Sequence, residues 1–139
     1  MKILVIDDDA QFLAKARKFL EMRGYSTFGA PSEASAREIL RVHACSIRVA
    51  LVDLYMESPD SGISVVRHII SHYGWIRPVV MTGHVDPERT EACVAAGAAA
   101  IYKKDQDAPE MLLRLVQQEA AASGNGQDIS AKRKDLENG

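Results

Sequence analysis

The sequence predicts an alternating α/β domain built on a parallel sheet. Short apolar runs rich in β-branched residues recur along the chain, amphipathic helical stretches lie between them, and turn or cap residues punctuate the joins. Residues 3–6, 49–52 and 79–81 are apolar without alternation, which suits strands buried on both faces. Residues 98–102 form a further strand candidate, and the mixed stretch 25–28 reads as an edge strand. Phe12, Ala16, Phe19 and Leu20 share one face of a first helix that Gly24 stops. Ala36, Ile39 and Leu40 mark a second helix after Pro31-Ser32, and Ile63, Val66, Ile70 and Tyr73 a third. Asp86-Pro87 opens a fourth that ends at Gly97. Asp107-Ala108-Pro109-Glu110 has the capping-box pattern, followed by Leu112, Leu115 and Val116. Five strand–helix units imply helices on both faces and right-handed crossovers.

The 139 residues argue for one domain, and at 47% hydrophobic they support a real core. A net charge of -2 lacks the basic excess of a nucleic-acid binder. Cys45 and Cys93, without CxxC spacing, suit thiols in a reducing, cytoplasmic setting. The longest apolar run, 92–102, is too short to span a bilayer. Three aspartates directly after residues 3–6 argue against a signal peptide. Periodicity fades near Ser123, so residues 1–122 are expected to form the domain and 123–139 a flexible tail or linker.

Ligands of open parallel sheets bind beyond the carboxyl ends of the strands. Asp7, Asp8 and Asp9 follow the first strand, Asp53 the third, Thr82 and Gly83 the fourth, and Lys103, Lys104 and Asp105 the fifth. Two carboxylates ~4 Å apart repel by about 4 kcal/mol at an effective dielectric of about 20. Such a group calls for protons or a cation, and hard oxygen donors on an open rim suit magnesium with a phosphate oxygen. A carboxylate beside that ion is a nucleophile toward phosphorus, with a lysine and a hydroxyl to hold the transferring oxygens.

Asp7-Asp8 after Ile-Leu-Val-Ile, Asp53 in Val-Asp-Leu-Tyr-Met, Thr82 in Val-Met-Thr-Gly-His and Lys104 after Gly97-Ala-Ala-Ala-Ile-Tyr-Lys together resemble the receiver domain of bacterial response regulators. Each motif alone has an ordinary reading: turn residues, a helix cap (the role expected of Asp9), a surface lysine. Their conjunction at successive strand ends is specific. The resemblance implies a flavodoxin-like fold with strand order 2-1-3-4-5. It also implies acceptance of a phosphoryl group on Asp53 from a sensor histidine kinase or phosphotransfer protein. Magnesium would be ligated by Asp8, Asp53 and the Tyr55 backbone carbonyl, with Asp7 acting through water. Thr82 and Lys104 would hold phosphoryl oxygens. The residue pattern leaves Lys103 and Lys104 both open, and the family spacing selects Lys104. Such a chain would be a switch rather than an enzyme; the family's responding surface is usually the fourth helix, fifth strand and fifth helix, which makes that face a candidate for self-pairing.

Some features depart from the pattern. Glu57 stands where the family usually has proline, and the loop before Gly62 is one residue longer than usual. Asp105 replaces the usual proline after the lysine, and Ile101 occupies the position of the family's switch aromatic. Tyr55 and His84 flank the expected site, while His43, His68 and His72 lack metal-ligand spacing and read as surface residues. Three other readings compete. A haloacid-dehalogenase-like phosphatase would use Asp7-x-Asp9 but wants Thr or Val where Gln11 stands. A flavodoxin-like cofactor binder would need a phosphate loop where three aspartates repel phosphate. A docking module that takes no phosphate would tolerate the altered loop after Met56.

Overall fold

A computed structural model describes residues 1–83 and 86–124 of the chain. His84 and residues 125–139 of the expected tail lie outside the described residues. The elements in order are β1 (Lys2–Ile6), α1 (Ala10–Glu21), β2 (Ser26–Ala30), α2 (Glu33–His43), a 3₁₀ turn (Ala44–Ser46), β3 (Ile47–Asp53), α3 (Ser61–His72), β4 (Arg77–Thr82), α4 (Pro87–Ala96), β5 (Ala100–Lys103) and α5 (Pro109–Gly124). The strands form one sheet in the order β2-β1-β3-β4-β5, and every neighbouring pair is parallel. The mixed strand β2 lies at an edge, as its composition predicts.

The unalternating runs have a direct explanation in the packing. In β3, Val49 and Leu51 join Ala16, Leu20, Leu112 and Val116 on the side covered by α1 and α5. Ala50 and Val52 point the other way, toward Ala36, Leu40, Val66, Ile69 and Cys93 of α2, α3 and α4. Each strand face therefore meets helices, and both sets of side chains leave water.

Local signals set most boundaries. Asp9 is the N-cap of α1, its carboxylate accepting from the Gln11 and Phe12 amides at 3.0 and 3.2 Å. Asp9→Ala is expected to cost about 1 kcal/mol of stability, read as a lower urea midpoint with an unchanged slope. Gly24, with φ of 93°, turns the chain from α1 into β2. The fifth strand begins two residues later than the apolar run suggests. The Ala98 amide still bonds the Cys93 carbonyl, at 2.9 Å, while Gly97 closes α4. Asp107 also differs from expectation: its carboxylate accepts from the Lys103 amide at 2.8 Å, closing the β5–α5 turn.

At the amino-terminal end of β4, α5 is fastened to the sheet. Arg77 and Glu119 form a pair at 3.1 Å whose side chains are only 12% and 11% exposed. Ser123 donates to the Trp75 carbonyl at 2.9 Å, and Trp75 itself donates to the Ala44 carbonyl at 3.0 Å. The helix thus runs past the boundary expected at residue 122, since Ser123 is buried against the domain. No helix among the described residues is long and apolar enough to cross a membrane.

Candidate functional site

Strands β1, β3, β4 and β5 end side by side, which brings together residues far apart in sequence. Ile6 pairs with Val52, Asp53 with Met81, and Thr82 with Lys103. Backbone bonds carry the ladder into the rim: Asp7 N–H to the Ala30 carbonyl at 3.0 Å, and Leu54 N–H to the Met81 carbonyl and Lys104 N–H to the Thr82 carbonyl, both at 2.8 Å. The side chains that follow these strands therefore have fixed origins.

Carboxylate oxygens of Asp7, Asp8 and Asp53 lie within 4.8 Å of one another. Asp7 is fully buried, Asp53 nearly so, and Asp8 faces solvent. Asp7 Oδ1 accepts from the Asp9 amide at 2.9 Å. Of the two adjacent lysines, Lys104 reaches the acids, its Nζ lying 2.5 Å from Asp7 Oδ2 and 3.4 Å from Asp53 Oδ1. The same ammonium sits 4.1 Å from the centre of the Phe12 ring, whose face attracts its charge. Thr82 is buried at the end of β4, beside this cluster.

Burial is the main cause of an Asp53 carboxyl pushed up to about 7; Lys104 opposes it, and Asp7 and Asp8 add to it. One ammonium offsets only part of three carboxylates. The oxygen donors are hard, one is open to water, and their charge is under-compensated, so they fit a hard divalent cation of the magnesium class.

The loop after β3 folds back on itself despite its extra residue. Ser61 Oγ accepts from the Ser58 amide at 3.1 Å, and Glu57 accepts from the Glu33 amide at 2.7 Å, tying the loop to the start of α2. The Tyr55 phenol points toward α4, donating to Asp86 at 3.1 Å. Ile101 packs on the α2–α4 side of the sheet, whereas Tyr102 is buried on the α1–α5 side and donates to the Asp107 carbonyl at 3.1 Å. Tyr102 is therefore out of phase with the switch position. His43 stacks on Phe28 at 4.6 Å, and the His68 and His72 rings lie 4.4 Å apart on α3, away from the rim.

A family model described as the response regulator receiver domain matches residues 3–116. The chain belongs to this family. Among curated receiver-containing proteins, the acid tolerance regulatory protein ActR of Rhizobium meliloti is 30% identical over 115 residues, covering 83% of this chain and 58% of that protein. The chain thus spans little more than half the length of such relatives. A CheY-like receiver domain from Methanospirillum hungatei superposes with a TM-score of 0.80 at 22% identity, covering 91% of this chain and 98% of that one. A response regulator from Burkholderia pseudomallei, solved with a phosphorylated aspartic acid, calcium ion and citrate, superposes at 0.75 with 26% identity, covering 90% of this chain and 71% of that one. The receiver is a signalling domain with the flavodoxin-like strand order, not a classical enzyme.

Two contributors to the receiver site escape a reading of the sequence. Phe12 looks like one more apolar residue of α1, yet it also backs Lys104; its place just after the acidic run was the available signal. Asp86 is legible as a helix cap, but nothing in the sequence links it to Tyr55, 31 positions earlier.

Proposed function

We propose that this receiver takes a phosphoryl group on Asp53 from the phosphohistidine of a sensor kinase or phosphotransfer protein, in a magnesium-dependent reaction. The observation that carries the reading is the convergence of the Asp7, Asp8 and Asp53 carboxylates with the Lys104 ammonium at one rim. Asp7, Asp8, Asp53 and the Tyr55 main chain would hold the ion, which when bound supplies positive charge for the phosphoryl oxygens. A deprotonated Asp53 oxygen attacks phosphorus, and the phosphorus–nitrogen bond of the donor breaks as the oxygen–phosphorus bond forms. Lys104 exchanges part of its contact with Asp53 for a phosphoryl oxygen, and Thr82 offers its hydroxyl to another. The phosphorylated aspartate and calcium ion reported for the Burkholderia pseudomallei relative support this assignment.

The product carries about -1.5 to -2 of added charge, which shifts the domain between two conformations only as far as one of them accommodates it better. The output lies with regions or partners beyond this domain, in the cytoplasm. The face proposed for self-pairing is that of α4, β5 and α5; Val94 of α4 and Met111 of α5 are exposed apolar residues of those helices.

Intact-protein mass after incubation with a small phosphodonor and magnesium tests the reading. One added phosphoryl group is expected for wild type, absent without magnesium and absent in Asp53→Asn. A wild type that takes up neither phosphoryl group nor magnesium would leave the docking module as the better account.

A further inference from the structure

The loop that follows Asp53 is held from outside, by the first turn of α4. Tyr55 donates its hydroxyl to Asp86 Oδ2 at 3.1 Å. Asp86 is also the N-cap of α4, its Oδ1 accepting from the Glu88 and Arg89 amides at 3.1 and 3.3 Å. Arg89 reaches back across the gap, Nη1 donating to the Pro59 carbonyl at 2.7 Å and to Asp60 Oδ1 at 3.1 Å. Its Nε lies 3.7 Å from Asp86 Oδ2, and its guanidinium carbon 5.6 Å from the centre of the Tyr55 ring. The loop is thus gripped near both ends, at Tyr55 beside the acidic rim and at Pro59–Asp60 before α3.

These contacts are unequal. The Asp60 side chain is 85% exposed, so its ion pair with Arg89 contributes little in water. The Arg89 bond to the Pro59 carbonyl and the Tyr55 bond to the Asp86 carboxylate each involve a charged partner and carry most of the grip. Glu57 offers none of the backbone restriction that a proline ring would impose, so order here has to come from such cross-links.

We infer that Asp86 and Arg89 are positioning residues for the cation-binding loop, fixing the main chain at Tyr55 and coupling divalent-cation affinity at the rim to the seating of α4. This rests on the reading in which the Tyr55 carbonyl and the acidic cluster hold magnesium. Groups that orient metal ligands govern affinity without touching the ion. By linkage the coupling is reciprocal: a bound cation steadies the first turn of α4 by the same factor.

Titration calorimetry of the full chain with magnesium chloride alone tests this. Arg89→Gln and Tyr55→Phe are each expected to bind magnesium about tenfold more weakly than wild type. Arg89→Lys should recover most of the loss, because an ammonium still reaches the Pro59 carbonyl. Magnesium should slow hydrogen exchange of the Glu88 and Arg89 amides in wild type and leave it unaltered in Arg89→Gln. A purely structural role would lower the melting temperature of the magnesium-free variants and leave both readouts as in wild type. Wild-type affinity in Arg89→Gln and Tyr55→Phe would overturn the inference while sparing the site. A wild type that, like Asp53→Asn, binds no magnesium would overturn the site reading and the inference together.

Discussion

Gly62→Ala is expected to destabilise the domain by on the order of 3 kcal/mol, more than any surface substitution near the rim. A Cβ at that position would lie 2.5 Å from the Asp53 carbonyl oxygen and 2.6 Å from both Cα and carbonyl oxygen of Leu54. All three atoms are backbone, so no side chain can swing aside to make room. Relief has to come from moving α3 off the sheet or bending the end of β3. The first loses packing of Ile63, Val66 and Ile69. The second displaces the carboxylate proposed to accept phosphate. Urea denaturation measures the stability loss, and magnesium titration shows whether β3 or α3 gave way. A loss under about 1 kcal/mol would mean that the loop after Met56 absorbs the methyl group.

Asp53→Asn is expected to raise the melting temperature of the magnesium-free domain at pH 8 by on the order of 5 °C, and to leave it unchanged near pH 4. The sign follows from a carboxyl raised from 3.8 to about 7 by burial, against the pull of Lys104. In that interval the folded chain holds the proton more tightly than the unfolded one. The stability this contributes is complete below the unfolded value and is lost as pH rises through about 7. Asparagine cannot ionise and escapes the loss. Magnesium should reverse the ranking, because an ion that binds wild type and not the variant adds about 2.7 kcal/mol at a hundredfold excess over its dissociation constant. Scanning calorimetry at the two pH values, with and without magnesium, checks both statements. A variant less stable than wild type at pH 8 without the ion would mean that the Lys104–Asp53 contact outweighs the burial of the carboxylate.

The sheet and the rim were legible because each rests on local pattern. Buried parallel strands demand apolar residues on both faces, so 3–6, 49–52 and 79–81 stand out, and the polar residues that end them mark the rim. The strand order came from family resemblance, since periodicity says nothing about which strands are neighbours, and the structure bears it out. Lys104 shows the same limit: two adjacent lysines look alike until the register beyond β5 sends one toward Asp7 and Asp53. The late start of β5 depends on a hydrogen bond from Ala98 to Cys93, which alanine composition does not announce. The grip of Asp86 and Arg89 on the loop joins segments some 30 positions apart, and only the packing of α3 against α4 brings them within reach.

The buried Arg77–Glu119 pair has a mechanical meaning for the switch. Sliding α5 one turn along β4 moves it about 5.4 Å and separates two charges inside the protein, a loss of about 3–5 kcal/mol. The Ser123 bond to the Trp75 carbonyl would break in the same movement. Axial travel of α5 is thus a costly way to carry a message, and the helix acts as a fixed spine. Compliance is left to α4, which buries only Cys93 fully and ends at a glycine. A response that begins at Thr82, at the opposite end of β4 from Arg77, would spread sideways across the sheet rather than lengthwise down its last helix.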